Sequence, residues 1–103
     1  MQNKVLEFNR NMPCHSKPMP VSARILDIQS ELGELGKEVL KASRYGTEGF
    51  AKTEDFEMEL GDALYSILSL ANETGIDAEV ALDKVLEKYR KRIENKGNMG
   101  SGN

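Results

Sequence analysis

Residues 22–45 read SARILDIQSELGELGKEVLKASRY, and the spacing of their apolar side chains decides the fold. Ile25, Ile28, Leu32, Leu35 and Val39 recur at intervals of three and four, the stripe of an amphipathic helix rather than the alternation of a strand. Ser22 stands where an N-cap is expected, and Gly46 follows the last apolar position. Residues 54–74, EDFEMELGDALYSILSLANET, repeat the pattern through Phe56, Leu60, Ala63, Leu64, Ile67, Leu68 and Ala71, after Thr53 and an acidic first turn. A last helix is expected over 77–95, striped by Val80, Val85, Leu86, Tyr89 and Ile93. A short helix over Gln2–Arg10 leads into a loop from Asn11 to Pro20 that holds all three prolines. No segment alternates as a strand would, so the chain reads as all-α, an antiparallel helical bundle with short connections. It divides into one domain over 1–96, with an N-terminal segment 2–20 and main helices 22–45, 54–74 and 77–95, followed by a flexible Gly/Asn/Ser tail over 97–103.

A chain of 103 residues buries only about 60–70% of its unfolded surface, so self-association is expected to complete the bundle. No long apolar run and no charged-then-apolar leader occurs, which points to a cytoplasmic protein without a membrane partner. The lone cysteine, Cys14, excludes an internal disulfide framework and a Cys-based zinc site. The net charge of −3 argues against a stable nucleic-acid partner. The C-terminal helix is nonetheless locally basic through Lys84, Lys88, Arg90, Lys91, Arg92 and Lys96, which suits either an anionic ligand or the negative end of the helix dipole.

One phrase occurs twice, Glu31-Leu32-Gly33-Glu34 and Glu59-Leu60-Gly61-Asp62. On a helix each phrase sets two acids on one face, where they repel. Glu34 has Lys37 and Glu38 has Lys41 at helical spacing, whereas Glu31, Glu59 and Asp62 have no such neighbour. Helix-interior glycine costs about 1 kcal/mol relative to alanine, so Gly33, Gly36 and Gly61 suggest a close backbone approach nearby. At ~1.5 Å rise per residue, an antiparallel pair turning near residues 45–53 brings Glu34, Glu38, Glu59 and Asp62 level, and these acids and Glu31 flank the apolar stripes at the edge of the helix interface. Converging carboxylates need a divalent cation, and all-oxygen ligation favours Mg²⁺, with Mn²⁺ as a substitute. A di-iron site would call for Glu-x-x-His, and the single histidine, His15, lies in the Pro-containing loop.

These residues resemble the MazG-like nucleoside triphosphate pyrophosphohydrolases, all-α enzymes marked by Glu-x-x-Glu, a variable gap, then Glu-x-x-Asp. The likeness runs from about Pro18 to Ile93 and includes Gly75-Ile76-Asp77 before the last helix and Lys88-Tyr-Arg-Lys-Arg92 within it. It implies Mg²⁺ on Glu31, Glu34, Glu59 and Asp62, with Glu38 as a further candidate ligand. It also implies cleavage of ribo- or deoxyribonucleoside triphosphates between the α and β phosphates, giving monophosphate and pyrophosphate. Within the cluster Glu34 is the chosen general base, Lys88 and Arg92 are the expected triphosphate contacts, and Tyr65 and His15 are further substrate candidates. The resemblance further implies a homodimer or tetramer with sites near the interface. This chain departs from many relatives in having Ser30 where they carry another acid, and in lacking tryptophan for a base pocket. Two other readings compete: a non-enzymatic helical interaction module whose acids are a solvated face, and a small regulator that presents its basic helix to nucleic acid.

Overall fold

The computed structural model describes residues 1–12 and 19–96 and is built from helices alone among them. They are α1 (Gln2–Asn11), α2 (Val21–Ala42), α3 (Glu54–Glu73) and α4 (Ala78–Lys96). His15 and the expected tail over 97–103 lie outside the described residues.

Each helix end has a local cause. Ser22 does not cap α2; Pro20 takes that place, and its carbonyl accepts the Arg24 N–H at 2.9 Å. Proline brings no N–H of its own to leave unsatisfied, so the helix begins one residue before the serine. Beyond α2 the chain reverses through Arg44, Tyr45 and Gly46, at φ 47°, 58° and 84°, a left-handed run in which only the glycine is free of Cβ strain. Thr53 caps α3 as its position predicts, accepting the Phe56 N–H on Oγ1 at 3.0 Å. Asp77 Oδ1 accepts the N–H groups of Glu79 and Val80 at 3.0 and 3.2 Å and opens α4.

Three cross-helix contacts show that α2 and α3 run antiparallel: Arg24 meets Glu73, Asp27 meets Ser66, and Glu31 meets Asp62 and Glu59. An adjoining face of α3 takes α1. Asn9 Nδ2 donates to Ser69 Oγ at 3.3 Å, the Tyr65 hydroxyl donates to Asn9 Oδ1, and Phe8 packs edge-on to Tyr65 with centroids 6.2 Å apart. At the other end of α1, Gln2 donates to the Ile76 carbonyl at 2.6 Å and accepts the Ala78 N–H at 2.8 Å, tying the α3–α4 turn to α1.

The buried row of α2 is rotated from the expected apolar stripe. Arg24 and Ile28 are buried and Glu31, Leu35 and Glu38 are half-buried, whereas Ile25, Leu32 and Val39 are exposed. On α3 the buried Ala63 and Ser66 share a side with half-buried Glu59, leaving Leu60, Leu64 and Ile67 open. The physical reason is the polar ladder between these helices: turning Arg24, Asp27 and Glu31 toward α3 turns the apolar residues beside them away. Ile28, Ala63 and Leu68 are the buried apolar side chains, a small core, while Leu32 is 50% and Leu60 47% exposed. α4 makes no extensive contact with another helix among the described residues. Its Val80, Leu82, Leu86 and Ile93 are exposed. The radius of gyration is 16.9 Å, against about 13 Å for a compact domain of this length.

Candidate metal centre

Glu31 reaches the α2–α3 seam from one side, and Glu59 and Asp62, one turn apart on α3, reach it from the other. One carboxylate oxygen from each lies within 4.8 Å of the other two. Glu31 and Glu59 are half-buried and Asp62 is exposed, so the group opens to solvent on one side. No ion pair reaches any of the three among the described residues. Lost hydration, then repulsion from Asp62, Asp27, Glu59 and Glu34, holds the Glu31 carboxyl above its ordinary pKa. Glu59 is raised in the same way, by lost hydration first and then by Asp62, Glu34, Glu38 and Asp55. The donor set is all oxygen and anionic, at a separation one cation can span, which fits a hard divalent ion.

The other expected acids stand around this trio. Glu34 is outside it: its side chain is 51% exposed and pairs with Lys37 at 3.5 Å, so it borders the cluster from the solvent side. Glu38 lies further along the seam, with its side chain 14% exposed and paired with Lys41 at 3.4 Å. The glycine expectation fails within the single chain. A methyl group on Gly33, Gly36 or Gly61 would meet nothing within 4 Å, because their faces of α2 and α3 are uncovered.

Lys88 is exposed and lies over the ring of Tyr89 at 5.5 Å; the chain does not join it to the carboxylates. Arg92 is half-buried on the same helix. Tyr65 is half-buried between α1 and α2, with its hydroxyl on Asn9 and the Arg24 guanidinium 6.0 Å from its ring centre.

Charge-based reading of the motifs missed the polar ladder beside the trio. Arg24 Nε and Nη2 donate to Glu73 at 3.1 and 2.9 Å, and Nη1 donates to Asp27 at 3.3 Å. The Ser66 hydroxyl donates to the same Asp27 oxygen at 2.7 Å. A signal was present: Arg24, Ile28, Glu31 and Leu35 fall at i, i+4, i+7 and i+11, one helical face mixing charge with apolar side chains.

Residues 22–96 match the family model of the MazG nucleotide pyrophosphohydrolase domain. The chain belongs to this family. It is similar to the uncharacterized protein YpjD of Bacillus subtilis (strain 168), at 40% identity over 78 residues. That match covers 73% of this chain and 66% of YpjD, just under two thirds of the relative's length. No solved structure matches the chain. The all-helical architecture agrees with that of the MazG domain. No described helix is long and apolar enough to cross a membrane.

Proposed function

We propose that this chain is a Mg²⁺-dependent hydrolase that cleaves nucleoside triphosphates between the α and β phosphates, releasing monophosphate and pyrophosphate. The observation that supports this reading is the trio Glu31, Glu59 and Asp62, three carboxylates from two helices with oxygens inside 4.8 Å and no ion-pair partner among the described residues. In a MazG domain, whose substrates are polyanions, a group so arranged serves to hold metal for phosphate. A divalent ion bound there offsets phosphate charge and lowers the pKa of a coordinated water.

The chain's own residues supply the rest. Glu31, Glu59 and Asp62 are the ligands; Glu34, next to them and open to solvent, completes the coordination or accepts the proton of the attacking water. Glu38 is a reserve ligand. Lys88 and Arg92 bind the phosphate tail, and Tyr65 and His15 line the nucleoside side. Because α4 runs clear of the α2–α3 seam, its cations meet the substrate in an assembled oligomer rather than within one chain. A homodimer that covers Ile25, Leu32 and Val39 of α2 with Leu60, Leu64 and Ile67 of α3 buries rows that one chain leaves wet. Residues 1–96 act as one domain in that assembly. A non-enzymatic interaction module would account for the apolar rows but leaves the unpaired trio without a purpose.

The test is product analysis on a panel of ribo- and deoxyribonucleoside triphosphates with Mg²⁺, Mn²⁺ or chelator, beside Glu59→Gln and Asp62→Asn. Monophosphate and pyrophosphate are expected from the wild type with metal and from neither variant. Release of orthophosphate in place of pyrophosphate, or turnover that ignores chelation, contradicts the proposal.

A further inference from the structure

Three carboxylates this close push α2 and α3 apart at the level of Glu31. The contacts that resist the push begin one turn away. Ser66 follows Asp62 by four residues and Asp27 precedes Glu31 by four, so their 2.7 Å hydrogen bond is the rung of the helix pair next to the trio. Arg24 grips Asp27 on its own helix and Glu73 on the facing one, its side chain 5% exposed and that of Glu73 16%.

Stability alone is a poor reason for this arrangement. Desolvating two ions offsets most of their attraction, and apolar side chains of similar size would hold the helices together equally well. A forked guanidinium on a carboxylate does what apolar packing does not, since it fixes direction as well as distance. Direction matters at this seam. Successive residues of a helix lie ~100° apart, so a roll of α2 by about half that angle would leave Glu59 facing the gap between Glu31 and Leu32.

We propose that Arg24 is a positioning residue of the metal centre: through Asp27 and Glu73 it sets the roll and spacing of α2 on α3 at which Glu31 meets Glu59 and Asp62. This role rests on the metal-dependent reading above. Its test uses Mn²⁺ alone as the probe, titrated by electron paramagnetic resonance into the full chain. The variants are Arg24→Lys, Ser66→Ala and the double replacement of Arg24→Met with Glu73→Leu. The double variant keeps bulk in the seam and is expected to unfold near or above the wild-type temperature. It and Arg24→Lys are expected to bind Mn²⁺ about 10-fold or more weakly, as when groups that orient metal ligands are removed. Ser66→Ala, a smaller lesion, shifts affinity in the same direction. Folded Arg24 variants with unchanged Mn²⁺ affinity, whatever their melting temperature, overturn the positioning role. If the double variant does not fold, Arg24→Lys decides by the same criterion. A wild type that binds no Mn²⁺ overturns the metal centre itself, a distinct result that removes the positioning role with it.

Discussion

Two neighbouring stretches of the same helix pair treat acidic side chains in opposite ways. At the α2 N-terminal end, Asp27 and Glu73 share a buried arginine, and Asp27 also accepts a serine hydroxyl. One turn further on, Glu31, Glu59 and Asp62 crowd together with no ion-pair partner among the described residues. The chain thus neutralises two carboxylates across this seam and pairs none of the next three within the described residues, a contrast that the metal reading proposed above turns into a test.

Breaking the unpaired side gives the largest effect. Glu59→Gln and Asp62→Asn are each expected to lower triphosphate hydrolysis at least about 100-fold, as when a group stabilising transition-state charge is removed. In chelator the same variants should melt above the wild type, because each removes repulsion; calorimetry with and without Mg²⁺ checks both signs. Breaking the paired side should do the reverse. Arg24→Ala leaves Asp27 and Glu73 without their cation and is expected to lower unfolding free energy by about 3–5 kcal/mol in urea titrations. Lys37→Ala at the exposed Glu34 pair should stay within about 1 kcal/mol.

Proton linkage sharpens the contrast. Glu31 and Glu59 have folded pKa values raised above their unfolded ones. Between the ordinary and raised values the folded chain therefore holds more protons than the unfolded chain, and metal-free stability must fall as pH rises through that window. Melting temperatures in chelator should show this slope, and saturating Mg²⁺ should flatten or reverse it.

The smallest effect is at the glycines. With nothing within 4 Å of an added methyl, Gly33→Ala should raise the stability of the isolated chain by about 1 kcal/mol. Where a second copy closes on that face, the same change should weaken association in sedimentation experiments.

The sequence carries the helices well because their period, Thr53 cap and Gly75 turn are local. It also carries the convergence of acids from both helices onto the α2–α3 seam but not which ones, since counting rise from the turn sets Glu34 and Glu38 level with Glu59 and Asp62, whereas Glu31 is the α2 acid that meets them. The direction in which α2 faces is less legible. Hydrophobic periodicity selects Ile25, Leu32 and Val39 for burial, yet the partner across the seam is a polar ladder, and Arg24 wins the inner face by pairing with Glu73. That contact joins residues far apart in sequence, beyond the reach of any helical spacing rule. Glu34 is drawn from the trio by a competitor three residues away, Lys37, whose proximity was legible even though the outcome was not. The glycines meet no close backbone in the single chain, so the expectation read from them does not hold there.

A radius of gyration of 16.9 Å and so small a core leave much apolar surface wet in a single chain, and the homodimer proposed above would put a concentration into its folding free energy. If its helices finish packing only against another copy, its melting temperature climbs with protein concentration, and a dilute solution is itself a mild denaturant. Expression level would then set the fraction of chains that survive proteolysis as well as their number. A modest fall in synthesis would remove activity more than proportionally.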